Sequence, residues 1–576
     1  MNRRQFLGRL TAASVLTPTF ARSQPAADRA HESASGRRVV APWQRADLIV
    51  AGAGLGGCAA AWTALRSGLR VILTEETDWI GGQLTQQGVP PDEHRWIEAF
   101  GSTRGYRELR AQIRDYYRRH YPLTEAARAR WNLNPGDGSV SRLCHEPRVA
   151  LAVLESWLAP YLSGGRLTLL LRHRVTAAET DADRVVALQV RSLESGRESW
   201  LEAPWFIDAT ELGDLLPLTG TEFVTGAESR DETGEWHAAE KADPANQQAF
   251  TVCLAIEYAP GAEPALERPA DYGFWRDYVP RLTPPWPGRL LDLTYTHPPS
   301  GEPRTLGFNP EGPIPGAPVN LWTYRRIAHR TNFQPGAYAG DISLINWPQN
   351  DYLLGNLVGV DEAEAARHIA QAKQLSLSLL YWLQTEVPRP DGGHGWAGLR
   401  LRPDVLGTED GLAKYPYVRE ARRIRAMFTV LEEHVGLAQR MHVTGLSETE
   451  VTAAPFPDSV GVGSYPIDLH PSSTGDNYID FPALPFQIPL SSLLPVRVEN
   501  LVPAAKNIGS THVTNGCYRL HPVEWNIGEA AGALVAFAQQ RKVRPREVRE
   551  KGPLLAEFQQ RLRALGIETH WPKDRF

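Results

Sequence analysis

The chain has 576 residues, 42% of them hydrophobic and 22% charged, which suits a globular protein of two or more joined domains and excludes a disordered one. Its formal net charge is −5 and its 61 Lys and Arg residues are dispersed rather than gathered into a stripe, which argues against a nucleic-acid partner. The 4 cysteines, Cys58, Cys144, Cys253 and Cys517, include no C-x-x-C spacing, so neither a redox dithiol nor a zinc knuckle is indicated.

At the start, Met1 to Ala21 place a short apolar stretch behind Arg3-Arg4-Gln5-Phe6-Leu7. This reads as a twin-arginine signal over 1–23, addressed to the twin-arginine export machinery, followed by an Ala/Ser/Arg-rich linker over 24–45. The expected location is the periplasm or another exported compartment. The apolar stretch is too short for a permanent anchor, and no later segment reaches the length of a membrane span.

Residues 46–220 read as the first part of a dinucleotide-binding domain. Asp47 to Ala51 is a buried-strand pattern, and the turn behind it holds Gly52, Gly54 and Gly57 as G-x-G-x-x-G before an Ala-rich helix. Gly52 permits the tight turn, Gly54 lets the backbone approach a diphosphate, and Gly57 lets the helix pack on the strand, so phosphates meet N–H groups at a positive helix end. A second strand, Arg70 to Thr74, ends at Glu75 and Glu76, of which strand register favours Glu75 as the acceptor for adenosine ribose hydroxyls. Gly81 and Gly82, followed by Gln83, bring a second glycine doublet where the chain must approach something closely.

Further along, Arg107 to Tyr121 is helical in pattern, and helical periodicity resumes at Pro147, just after His145 in Leu-Cys-His-Glu-Pro-Arg. Strand candidates follow at Leu167 to Arg172 and Arg184 to Val190, then at Trp205 to Asp208 ahead of Ala209-Thr210. Over 221–484 prolines and aromatics break the pattern, leaving one strong helix, Asp361 to Thr385, and a glycine-flanked strand with Tyr465, Asp468 and His470. This region reads as an inserted substrate domain. Asp476, Asn477 and Asp480 lack the glycine and terminal Glu of a calcium loop, and no cluster has metal-ligand spacing. The nucleotide fold resumes over 485–545, where an apolar strand precedes Gly528-Glu529-Ala530-Ala531-Gly532, read as opening a small-residue helix; 546–576 is a C-terminal tail.

These segments together resemble the FAD-dependent oxidoreductase family of the glutathione-reductase-like superfold, whose FAD-binding domain is built in two parts. The resemblance rests on the first glycine turn, the Gly81-Gly82 doublet that separates FAD from NAD proteins, Val175 after Arg174, Asp208-Ala209-Thr210, and a C-terminal run containing Gly509, His512, Arg519, Pro522, Ile527, Gly528, Ala530, Ala531 and Gly532. It implies an α/β, Rossmann-like FAD-binding domain made of N- and C-terminal segments, with an inserted mixed α+β substrate domain, and FAD as cofactor. It further implies that Val175 contacts adenine through its backbone, that Asp208 belongs to a turn over the dinucleotide, and that Gly528, Glu529 and Ala530 bring a helix end to the isoalloxazine. The chain departs from the pattern at Glu211, which stands where the family has a glycine.

Hydride transfer to a flavin needs a substrate C–H over the ring and a base for the accompanying proton. His512, Arg519 and His521 lie just before the expected ring-facing helix and are the first candidates, with His145 as a further one; His512 or His521 is expected as base and Arg519 as a carboxylate anchor or a charge beside reduced flavin. The expected function is an exported FAD-dependent oxidase or dehydrogenase that takes a hydride from a small organic substrate at a C–H next to O or N and passes electrons to oxygen, a quinone or a carrier. An exported sugar-active lyase or carbohydrate-binding protein with a vestigial or structural flavin fold is the alternative, suggested by 17 Trp and 18 Tyr.

Overall fold

The computed structural model describes residues 43–263, 266–316 and 319–572, so the expected export signal and most of the linker lie outside the described residues. Leu48–Ala51 (β1), Val71–Glu75 (β2), Leu167–Leu171 (β3), Trp205–Asp208 (β4) and Leu501–Pro503 (β5) form one five-stranded sheet in the order β5-β4-β1-β2-β3. Every neighbouring pair is parallel. β1, β2, β4 and β5 are buried along their whole length, which is why they read as unbroken apolar runs rather than as alternating ones. β5 arrives from the far end of the chain, so the α/β sheet is built from two sequence segments, as the resemblance implies.

Helix α1, Leu55–Arg66, carries the chain from β1 to β2, and α2, Pro147–Ser163, precedes β3. Pro147 opens α2 where its missing N–H has no partner to lose. A second, mostly antiparallel sheet is made by His173–Asp181, Arg184–Ser192 and Glu198–Glu202. Trp43–Arg45, assigned to the linker on sequence, joins its edge in parallel with Trp200–Glu202, and Trp43 stacks on Trp200 at 5.6 Å. That stacking and pairing explain why the three residues are ordered as strand.

The inserted region has its own core. Arg326–Ala328, Ile342–Ile345, Leu254–Tyr258 and Leu399–Leu401 form an antiparallel sheet, covered by α3, Glu362–Thr385. Asp361 caps α3 by accepting the Glu364 N–H at 2.8 Å, and Leu375, Leu379, Leu380 and Leu383 bury its inner face.

After β5 come α4, His512–Tyr518, and α5, His521–Arg541. α5 begins at His521 with Pro522 in its first turn, so Gly528-Glu529-Ala530 sits mid-helix rather than at the helix start, and the expected placement of these residues is corrected. A Cβ on Gly528 would stand 2.1 Å from the Gly56 carbonyl oxygen, and one on Gly532 2.3 Å from that of Ala60. The small residues therefore serve the close crossing of α5 on α1. Among the described residues no helix is long and apolar enough to cross a membrane.

Candidate active site

The glycine turns fold against one another with no room for side chains. Gly52 has φ +89°, and a Cβ there would lie 2.3 Å from the Ala209 carbonyl oxygen. A Cβ on Gly57 would lie 2.0 Å from the Gly52 oxygen, and one on Gly82 2.8 Å from the Leu55 nitrogen and 2.9 Å from the Gly54 Cα. Gly54 is the N-cap of α1, so the first-turn N–H groups and the positive end of the helix point out of this bare backbone. Gly81, also left-handed at φ +109°, packs against Leu154 and Thr85.

Beside the turn lies a cavity lined by Gly52, Gly54, Glu75, Gln87, Val175 and Thr210, so the two acidic and adenine-side candidates, Glu75 and Val175, meet the first glycines in one place. Burial pushes the Glu75 carboxyl up to about 7 against hydrogen bonds from Thr77, and Glu75 also accepts the Ala53 N–H at 3.0 Å. Gln87 has both amide atoms buried without a protein partner. A donor and an acceptor left open against a bare glycine cradle fit a polar, phosphate-bearing dinucleotide such as FAD. Asp208 is set back from this cavity: it accepts from the Thr210 N–H at 3.0 Å, the Thr210 hydroxyl at 2.7 Å and the Leu215 N–H at 3.2 Å, and so shapes the loop that the family glycine would otherwise form.

Deeper in, a buried charge cluster bridges the two sequence segments. Lys506 Nζ, just past β5, is 2.5 Å from Glu211 and 3.8 Å from Glu524. Burial opposes its charge, but the two carboxylates outweigh it and hold the lysine cationic. Glu524, in the first turn of α5, accepts the Gly56 N–H at 3.2 Å and binds the Gln83 amide, which also donates to the Arg519 carbonyl at 3.1 Å. Gln83 thus ties the glycine doublet to the C-terminal segment. Neither Lys506 nor Glu524 is singled out by sequence motifs; the one signal was Glu211 in the place of a glycine.

On the far side of Gln83, Tyr417 donates to its Oε1 at 3.4 Å and opens onto a chamber of about 240 Å³. Arg325, Arg419 and Arg519 face Asp92, Asp351 and Asp468 there, at 3.4, 3.0 and 3.1 Å. His470 Nδ1 is 2.6 Å from Asp351, whose other contact at the same oxygen is the Tyr478 hydroxyl at 2.9 Å, and His470 Nε2 is 3.5 Å from Asp468. Asp480 also lines the chamber, its carboxyl pushed up to about 7 by burial and by Asp468.

Of the four catalytic candidates, Arg519 alone lines this chamber. His521 is fully buried behind it: Nδ1 accepts the Asp92 N–H at 3.1 Å, and burial takes the ring down to about 3, a neutral imidazole and a weak base. His145 donates from Nδ1 to the Glu146 carbonyl at 2.9 Å and is held by burial at about 4. His512 lies elsewhere, in a buried ion cluster with Glu420, Arg423 and Glu228, where it joins the start of α4 to two distant segments of the chain. Glu529 turns away from the cradle, its carboxylate taken by the Thr103 hydroxyl at 2.8 Å and the Trp525 indole, and Ala530 is buried in helix packing. The expected contacts of Gly528, Glu529 and Ala530 with the isoalloxazine are replaced by the α1–α5 crossing, because α5 starts two turns earlier than its small residues suggest.

The sequence model of the family described as FAD dependent oxidoreductase matches residues 47–562. The chain belongs to that family. It is an oxidoreductase and its cofactor is FAD. No curated protein sequence matches it. Among solved structures it is similar to p-nitrophenol 4-monooxygenase from Pseudomonas putida DLL-E4, at 9% identity and TM-score 0.33, over 92% of this chain and 88% of that one. Others are the anhydrotetracycline hydroxylase OxyS from Streptomyces rimosus, at 13% identity and TM-score 0.29 over 91% and 67%, and a glycerol-3-phosphate dehydrogenase from Bacillus halodurans complexed with FAD, at 13% and 0.20 over 37% and 40%. The chain thus covers less than half of the dehydrogenase.

Proposed function

We propose that this FAD-dependent oxidoreductase takes a hydride from a small organic molecule at a C–H next to oxygen or nitrogen, outside the cytoplasm, and passes the electrons to oxygen, a quinone or a carrier. The observation that carries the reading is the His470–Asp351 pair, 2.6 Å apart, in a chamber that shares Tyr417 and Arg519 with the end of the dinucleotide cradle. When bound, FAD supplies a two-electron hydride acceptor. The chain supplies position and proton handling. As the substrate C–H leaves with its electron pair, the adjacent O–H or N–H proton passes to His470 Nε2 and a C=O or C=N forms. Asp351 accepts from Nδ1–H, which leaves the Nε2 lone pair for the proton, and Asp468, 3.5 Å from Nε2, then faces the imidazolium so formed. Glu75, Gln87 and the glycine turns would hold the dinucleotide, and Lys506 is a buried cation that Glu524 links to the first turn of α1. The Arg3-Arg4 motif supports export, which also suits a cofactor that must be inserted before transport.

The test is anaerobic mixing of the FAD-loaded protein with alcohols and amines. Loss of visible flavin absorbance with a stoichiometric carbonyl or imine product supports the reading; a panel that leaves the flavin oxidised, while a double-bond substrate reoxidises chemically reduced enzyme, overturns its direction.

A further inference from the structure

The chamber's charge is balanced rather than one-signed. Each guanidinium already faces a carboxylate, Arg325 with Asp92, Arg419 with Asp351 and Arg519 with Asp468, and no side chain among them is more exposed than the 18% of Asp468. Arg519, expected on sequence to anchor a carboxylate, is therefore occupied by one from the chain itself.

Hydrogen-bonding capacity is left over in both directions. The Nε–H groups of Arg325, Arg419 and Arg519, the Asn346 amide nitrogen and the Trp347 indole N–H are buried without a partner. On the acceptor side, Asp92 receives only long contacts from Arg325, at 3.4 and 3.5 Å, and Asp480 adds a third carboxyl to the wall beside Asp92 and Asp468.

These atoms separate the ligand classes. A carboxylate or phosphate ester only accepts; it would serve the guanidiniums but meet Asp92 and Asp468 as like charges with nothing to donate. An ammonium only donates and meets the opposite difficulty at the arginines. A hydroxyl does both, so it can bridge an aspartate to its arginine, and adjacent hydroxyls can do so at successive pairs. Tyr324, Tyr465 and Trp347 supply flat apolar surface for the C–H side of such a molecule. A volume of about 240 Å³ corresponds to roughly eight water molecules, room for one ring rather than a polymer.

We infer that the substrate is a neutral polyhydroxylated molecule about one ring in size, held with its hydroxyls between the Arg325–Asp92 and Arg519–Asp468 pairs. The inference rests on the proposed function for the reaction that follows, and narrows its C–H donor to a carbinol carbon: the C–H pair leaves as hydride, the hydroxyl proton goes to His470, and a carbonyl remains.

The test is calorimetric titration of the FAD-loaded protein at pH 7 with molecules that differ at one position: glucose, glucuronate and glucosamine, with inositols and linear polyols as further neutral members. The expected result is a neutral member that binds at least about tenfold more tightly than the charged ones, and an Asp92→Asn variant that weakens the neutral ligand while narrowing the gap to glucuronate. An acid or amine that binds as well as or better than every neutral polyol, or no neutral polyol binding at all, overturns the inference; the wild-type comparison decides even if Asp92→Asn does not fold. A polyol that binds and leaves the flavin oxidised upholds the ligand class and removes the hydride reading, whereas bleaching by a non-hydroxylated amine does the reverse.

Discussion

His512 Nδ1 stands 2.9 and 3.0 Å from the two carboxylate oxygens of Glu420, with Arg423 bound to the same carboxylate. Burial alone would push the Glu420 carboxyl up, but the facing imidazole and guanidinium outweigh it and hold it at about 2. Burial likewise opposes the charged imidazole of His512, and Glu420 reverses it, so His512 is raised above its ordinary value. The signs give a window. The Glu420 contribution is present above its unfolded value of about 4.3 and is lost as pH falls through about 2; that of His512 is complete below about 6.5 and is lost as pH rises through its raised value. The pair therefore stabilises most between about pH 4.3 and 6.5. His512→Ala removes one of the two cations on the buried Glu420 carboxylate, leaving Arg423 to hold it alone, and is expected to cost about 1.5–3 kcal/mol, read by denaturant unfolding, with turnover per folded molecule retained. Loss of turnover at full stability would restore His512 as a catalytic residue.

His470 carries the opposite expectation. His470→Ala is expected to lower kcat by about 10²–10⁴ while FAD stays bound. An unchanged kcat assigns the proton to another group.

The glycine cradle leaves no latitude at its first turn. Gly52→Ala combines a left-handed backbone, φ +89°, with a Cβ 2.3 Å from Ala209, so the purified variant is expected to be colourless or to release FAD on gel filtration. A yellow, stable Gly52→Ala protein contradicts the assigned cradle.

Lys506 is the cation between Glu211 and Glu524 at the first turn of α1. Lys506→Met leaves two carboxylates beside the diphosphate position, and flavin-fluorescence titration of the apoprotein is expected to show FAD affinity lower by about tenfold or more. Equal affinity means that the lysine only ties the strands together.

Chain-local features are legible in the sequence. The β1–turn–α1–β2 unit, Glu75 at its end and the Gly81-Gly82 doublet obey constraints that act over a few residues, and the structure puts Glu75 and Val175 together with the first glycines. The start of α5 is also local, in Pro522 at the first turn, but the run of Gly and Ala further on reads as a helix opening because close helix crossing and close ligand approach demand the same small residues. The chamber had no such local trace. Asp92, Arg325, Asp351, Arg419 and His470 come from separate loops and short strands, and only the long-range pairing of the inserted region brings them within hydrogen-bond distance.

Anaerobic mixing of the FAD-loaded wild type and His470→Ala with a substrate that reduces the flavin decides whether His470 takes the proton. Both proteins are expected to be yellow at the outset, with the variant losing its colour at least about a hundredfold more slowly. Equal rates, or a folded wild type that takes up no FAD, would contradict that role.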